Sequence, residues 1–392
     1  KNNPELISSL AVLDQSKASK SITQSALFPQ INANVGASTS KTGKGETSST
    51  ATPGTRDTYS YGVTRSQLVF DGMQTINNVR GAQEDVKASK EAYRFTSASI
   101  RFSLRSAFIT LLRAQDLIKV TEDIVRIRRD NLILITLRYE SGLEHKGALL
   151  TAEANMAQAS YEFEQAKRNL DFAQWQLLKE MGRDKFEQIS VIGDFSVVDT
   201  AKEKPNFDDI VEKNPSVLEA VAQKNSASFG ISSAKGAFLP EITGAASADR
   251  SGSHWPPQTS GWSAGLDLNM PIFEGGLKFA QLDQAKALYE QRKADEKDIR
   301  NSAYVALEQR WADLRDALEN VDVSKKSLLA TEERSKIAQA QYSTGFIGFD
   351  DWIIIENDLV SAKKSYLDSQ ASALLAEANW ILAKGETLEY AK

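Results

Sequence analysis

The sequence predicts an α+β fold in which one helix-strand-strand-helix-helix unit is written twice. Three observations carry this. Proline is absent from 54 to 204 and from 272 to 392, and glycine from 82 to 141, 148 to 181, 277 to 344 and 349 to 384. Between these runs lie short segments in which apolar residues alternate with small or polar ones. The two halves also repeat each other in order.

Asn3-Pro4-Glu5 returns as Asn214-Pro215-Ser216, and Leu27-Phe28-Pro29-Gln30-Ile31 returns as Phe238-Leu239-Pro240-Glu241-Ile242, both 211 residues later. A hairpin loop is eight residues shorter in the second copy, and beyond it the offset is 203. There Phe70-Asp71-Gly72 matches Phe273-Glu274-Gly275, Tyr139 and Gly142 match Tyr342 and Gly345, Glu153 matches Glu356, and Gly182 matches Gly385. The chain therefore divides into a first helix over 1–29, a β-hairpin over 30–70, and a long helix with a helical hairpin over 71–182. After a linker over 183–206 the pattern repeats as 207–239, 240–271 and 272–385, with a tail over 386–392.

The helical runs are rich in Ala, Leu, Glu, Gln, Lys and Arg and lack both breakers, which favours uninterrupted helix. A helix from 277 to 344 would be about 100 Å long at 1.5 Å per residue, more than a compact domain holds. Leu307, Trp311, Leu314, Leu318 and Val321, with counterparts Leu104, Phe108, Leu111, Gln115 and Ile118, follow the four-three spacing of helices lying side by side in a coiled coil.

The strands are read from period two. Over 30–40, Ile31, Ala33, Val35 and Ala37 alternate with Asn32, Asn34, Gly36 and Ser38, and Tyr59, Tyr61 and Val63 continue the apolar face over 58–70. In the second copy Ile242, Gly244, Ala246 and Ala248 face a strand in which Trp262, Ala264, Leu266, Leu268 and Met270 alternate with Ser263, Gly265, Asp267 and Asn269. Pro271 and Gly275-Gly276 end it. Tilted strands of about ten residues cross a bilayer. Four cannot close a barrel, and open edges are forbidden in lipid, so several chains must share one. The fold class is an α+β membrane protein.

Composition narrows the function. Cysteine is absent, and the only histidines, His145 and His254, stand far apart, so thiol chemistry and a Cys- or His-based metal site are not expected. No cofactor is implied. A net charge of -5 argues against a nucleic-acid partner. No run approaches eighteen apolar residues, which excludes a spanning helix but not barrel strands.

Two other readings compete. Gly261-Trp262-Ser263-Ala264-Gly265 satisfies G-x-S-x-G, but the alternation runs through Ser263 where a nucleophile elbow needs a turn, and both histidines precede it. No catalytic residue is assigned. A soluble coiled-coil scaffold, with the strand-like segments as linkers, is the other alternative. Lys41-Thr42-Gly43-Lys44-Gly45-Glu46 hints at a phosphate loop, yet glycine follows Lys44 where Ser or Thr is required, so it reads as an external loop.

The duplicated N-P-E/S opening, the F-P-Q-I and L-P-E-I strand starts, the W-S-A-G-L-D-L-N-M-P-I-F-E-G-G strand exit and the tip turns Y-E-S-G-L and Y-S-T-G-F together resemble the TolC-type outer-membrane efflux proteins. The resemblance spans essentially the whole chain. It implies a homotrimer with four strands per chain in a shared twelve-stranded barrel, set in the lipid of a Gram-negative outer membrane. Long coiled-coil helices would form a periplasmic α-helical barrel below it, gated at its tip. It also implies a periplasmic adaptor and an inner-membrane transporter of RND, ABC or MFS type as partners. The chain would then be a passive conduit for efflux or type I secretion.

On that resemblance, Ser141-Gly142-Leu143 and Thr344-Gly345-Phe346 are the tip turns expected to meet the adaptor, although glycine at these points also serves as an ordinary helix C-cap. Asp351, nine residues beyond Tyr342, matches the acidic constriction position, and Asp350 stands beside it. A ring of such carboxylates would favour cations. Either aspartate is alternatively a cap for a helix beginning near Trp352. The family's second acidic position falls on Ile354 and its gate-linking arginine on Ile347, so the closed tip is expected to rest on packing of Phe346, Ile347, Phe349 and Trp352. Tyr59, Tyr61 and Trp262 suit the membrane interface, with ordinary strand propensity of aromatics as the alternative, and Arg65 lies near the inner strand end, where an interfacial charge costs little. Phe207 to Lys213 have no counterpart before Lys1, so an upstream segment with a signal peptide is expected.

Overall fold

The computed structural model describes residues 3–42, 54–183, 185, 187–195 and 204–385. The external loop expected around Gly43 to Glu46, residues 196–203 of the linker and the tail over 386–392 lie outside the described residues. The elements are α1 (Pro4–Ser25), β1 (Gln30–Thr42), β2 (Gly54–Phe70), α2 (Gln74–Glu140), α3 (Lys146–Glu180), α4 (Phe207–Lys213), α5 (Pro215–Gly236), β3 (Glu241–Gly252), β4 (Thr259–Asn269), α6 (Leu277–Ser343) and α7 (Phe349–Ala383). The duplication is kept in length: α1 and α5 have 22 residues each, α2 and α6 have 67, and α3 and α7 have 35. The first hairpin is longer than its alternation suggests, because polar residues at its outer end still pair from Lys41 with Thr55 to Ser38 with Thr58.

The chain forms two compact units. The first comprises Lys1–Leu10, Ala92–Val217 and Ile299–Lys392. Its core is helical and built on small residues: Ala152, Ala159, Ala166 and Ala173 of α3 stand seven apart and are all buried, the spacing at which helices meet along a coiled-coil seam. Leu307, Leu314 and Leu111 of the expected seam are buried as well. Gln115, the polar residue in that seam, has a separate task. Its amide donates to the Val191 carbonyl at 2.9 Å and accepts from the Val191 N–H at 2.8 Å, while Gln174 donates to the Ile189 carbonyl at 2.7 Å. These bonds hold residues 187–195 as an extended strap, whose Ile189 and Val191 pack on Ala107, Leu111, Ala114, Ala173 and Leu177.

The second unit, Ala11–Glu91 and Leu218–Asp298, holds one antiparallel sheet in the order β1-β2-β3-β4. Register places Ile31, Arg65, Ala246 and Ala264 in one row, then Ala33, Val63, Ala248 and Trp262, then Val35, Tyr61, Arg250 and Ser260. Side chains in such rows share a face, so this face is largely apolar, interrupted by Arg65, Arg250 and Ser260 and, towards the β1–β2 hairpin end, by Asp57 and Thr39. The opposite face carries Asn32, Asn34, Thr64, Ser60, Ser247, Asp249, Ser263 and Asp267. The strand-like segments are therefore paired strands, which overturns the scaffold reading. No helix among the described residues is long and apolar enough to cross a membrane.

Candidate gate and membrane face

The two helical hairpins of the first unit turn by the same device. At the end of α2 the Gly142 N–H donates to the Tyr139 carbonyl at 3.0 Å and the Leu143 N–H to Arg138 at 2.8 Å. At the end of α6 the Gly345 N–H donates to Tyr342 at 3.1 Å and the Phe346 N–H to Gln341 at 2.8 Å. Both are Schellman caps, with glycine in the left-handed region at φ 73 and 83, where a Cβ would be strained. Ser141 and Thr344 spend their hydroxyls on the Leu137 and Ala340 carbonyls. Leu143 and Phe346 point away from the core, and Phe346 is 84% exposed.

The hairpins then diverge. His145 caps α3 by accepting from the Ala148 N–H at 3.1 Å, whereas α7 begins at Phe349 after Gly348, which offers no side-chain cap. This corrects the capping alternative for Asp350 and Asp351. The helix starts three residues earlier than Trp352, so both aspartates are exposed residues of its first turn. There they complement the positive end of the helix dipole.

Below the turns lies a buried cluster of Ile135, Ala148, Ala152, Ala338, Tyr342, Phe349 and Trp352, with Ile347 packed against it. Of the four residues expected to close the tip by packing, Ile347, Phe349 and Trp352 take part and Phe346 does not. Sequence reasoning missed the centre of the cluster. The Tyr342 and Trp352 rings stack at 4.5 Å, nearly parallel at 2°, and the Arg138 guanidinium covers the tyrosine at 4.6 Å. The Tyr342 hydroxyl donates to Glu144 at 2.7 Å, tying the end of α6 to the α2–α3 turn. Burial, followed by the Glu144 carboxylate, pushes the phenol well above its ordinary pKa, so Tyr342 stays a donor at physiological pH. Its repeat match with Tyr139 was visible, but Tyr139 is exposed and the match gave no sign of this difference.

One step further from the turns, Glu356 is only 3% exposed and accepts from Asn131 at 3.3 Å and from the Ser335 hydroxyl. Arg128 beside it bonds Asn357, and burial lowers its pKa against the pull of Glu356 and Glu162. The matched Glu153 of the first copy is exposed. No group of His, Cys, Asp or Glu that could hold a metal occurs among the described residues.

In the sheet, Ser263 lies in mid-strand opposite Ser247, their hydroxyls 2.9 Å apart. No turn presents it, so the elbow reading fails on geometry. Tyr59, Tyr61 and Trp262 lie on the apolar face, Trp262 being 82% exposed. Trp255, which sequence reasoning passed over, comes from the β3–β4 loop and meets both tyrosines edge-on at 6.4 and 6.0 Å.

A family model described as outer membrane efflux protein matches residues 1–183 and 207–386. Among curated relatives, the outer membrane efflux protein BepC of Brucella suis is 22% identical, over 98% of this chain and 83% of its own. The probable efflux pump outer membrane protein TtgC of Pseudomonas putida is 24% identical, over 98% and 80%. Among solved structures, a membrane protein from Pseudomonas aeruginosa superposes with a TM-score of 0.89 at 19% identity, over 98% of this chain and 90% of that one. The CmeC outer membrane channel of Campylobacter jejuni gives 0.84 at 15% identity, over 98% and 83%. Matched through both of its repeats, the chain belongs to the outer membrane efflux protein family.

Proposed function

We propose that three copies of this chain form a passive export conduit of the Gram-negative outer membrane, which extends into the periplasm and works with a periplasmic adaptor and an inner-membrane transporter. It has no catalytic cycle of its own. The observation that carries this reading is the four-stranded sheet, apolar on one face and small and polar on the other, with β1 and β4 each paired on one side only within the chain. In lipid such edges must be closed by sister chains, and a lipid-facing apolar side with a polar lumen is the pattern of a membrane barrel.

The tips Ser141-Gly142-Leu143 and Thr344-Gly345-Phe346 are the surfaces offered to the adaptor. Exposed Leu143 and Phe346, held on rigid caps, support this reading. The gate lies in the second hairpin, where Asp350 and Asp351 of three chains form a ring of negative charge. Ile347, Phe349 and Trp352 hold that hairpin against the first, and Phe346 is free to pack between chains. Tyr59, Tyr61 and Trp262 mark the membrane boundary.

Conductance of the purified oligomer in a planar bilayer tests this. The native protein is expected to prefer cations, and changing Asp350 and Asp351 together to Asn is expected to bring that preference towards unity. An unchanged preference removes the acidic ring, and absence of any conducting oligomer removes the conduit.

A further inference from the structure

On the apolar face of the sheet, the row Val35, Tyr61, Arg250 and Ser260 places a guanidinium where a lipid-facing surface ordinarily has none. Arg250 is exposed, and no hydrogen bond or ion pair joins it to another described residue. Its neighbours on that face are Tyr61 and Ser260 directly opposite, with Tyr59, Val63 and Trp262 on the diagonals, and none is acidic. The adjacent Asp249 belongs to the other face. Asp57 shares the face but lies beyond Tyr59, where Thr39 donates to it at 2.8 Å.

Arg250 stands two residues before the end of β3, on the hairpin side and away from the start of that strand after α5. Trp255 folds from the loop onto Tyr59 and Tyr61, so the arginine sits beside a bed of three rings. A charge on the lipid face of a barrel is strongly unfavourable at mid-membrane and nearly free of cost near the surface. Its stable location is thus the headgroup layer, where a planar guanidinium pairs with phosphate through two parallel hydrogen bonds. Aromatic rings at that level present flat apolar faces with polar rims, which suit a sugar ring.

We propose that Arg250, with Tyr59, Tyr61 and Trp255, binds the phosphorylated sugar headgroup of an outer-leaflet glycolipid. This rests on the outer-membrane reading above, which fixes the hairpin end as the outer one.

Native mass spectrometry of the detergent-purified oligomer tests it, with bisphosphorylated lipid A, dephosphorylated lipid A, phosphatidylethanolamine and inorganic phosphate as separate probes. Bisphosphorylated lipid A is expected to bind the native protein, and Arg250→Gln to weaken it about tenfold, the value of one charge-assisted hydrogen-bonded contact. Arg250→Lys should recover part of the loss, and Arg56→Gln, on the opposite face, should change nothing. Dephosphorylated lipid A and phosphatidylethanolamine should bind native and Arg250→Gln proteins equally weakly. Equal retention of bisphosphorylated lipid A by native and Arg250→Gln proteins overturns the proposal, as does equal competition by inorganic phosphate. Bilayer conductance of the same samples separates the two readings: if Arg250→Gln conducts like native protein, a lipid result bears on this site alone. A native protein that forms no pore sinks the conduit reading and this one with it.

Discussion

At the scale of single residues, the tip depends on Trp352, which is fully buried between Tyr342 and Phe349. Its indole N–H has no partner, so shape and stacking alone hold it. Trp352→Ala is expected to cost about 3–5 kcal/mol, read as a lower denaturation midpoint. Trp352→Phe should cost clearly less, since it keeps a ring and removes an unsatisfied donor. Equal losses in the two variants would show that ring packing is not what matters. Tyr342→Phe keeps the stack but strips Glu144 of its hydroxyl donor, an expected loss of about 1.5–3 kcal/mol for a hydrogen bond to a charged group. The sequence reading named Phe349 and Trp352 as packing residues but not the Tyr342 stack or its bond to Glu144. Period and repeat identify Tyr342 and Trp352 as apolar positions, but which rings meet depends on how helices far apart in sequence lie together. The capping alternative for the aspartates fails for a local reason: Gly348 precedes α7 as its N-cap without a side-chain bond, and a search for Asp or Ser caps passes over it.

At the scale of elements, the sequence was far more readable. Strands followed from period two, helices from the absence of breakers, and turns from Gly142 and Gly345. Breakers and periodicity are written in neighbouring residues, whereas contacts across the fold are not. The strap over 187–195 shows the difference: Gln115 looks like a defect in the helical seam, and only its pair of bonds to Val191 reveals a clasp. The Schellman turns make a sharp prediction. Gly142→Ala and Gly345→Ala each force an L residue to φ 73 or 83, at about 1–2 kcal/mol per site. Thermal melting of each variant measures this, and an unchanged melting temperature would mean that the turns reshape freely.

At the scale of the whole molecule, ion pairs between helices make stability depend on pH. Lys363 bonds Asp123, Lys364 bonds Glu162, and Arg105 meets Glu377 at 3.2 Å. Burial works to raise the pKa of Asp123 and of Glu162, but their lysine partners, helped by Arg126 and Gln158, outweigh it and leave both lowered. A carboxylate held down in the folded state adds stability above its ordinary pKa and loses it as pH falls through the folded value. The melting temperature should therefore be flat near neutrality and fall below about pH 4. A double change of Asp123→Asn and Glu162→Gln should flatten part of that fall, and an identical acid slope would assign it to other groups.

The acidic pair has a consequence for symmetry. Asp350 and Asp351 correspond to Gly147 and Ala148 in the first copy, so duplication preserved the dimensions of the hairpins while their chemistry drifted apart. Each chain thus carries two hairpins of equal length, one with an acidic pair at the start of its second helix and one with Gly147 and Ala148 there. Any body that engages both meets two kinds of site.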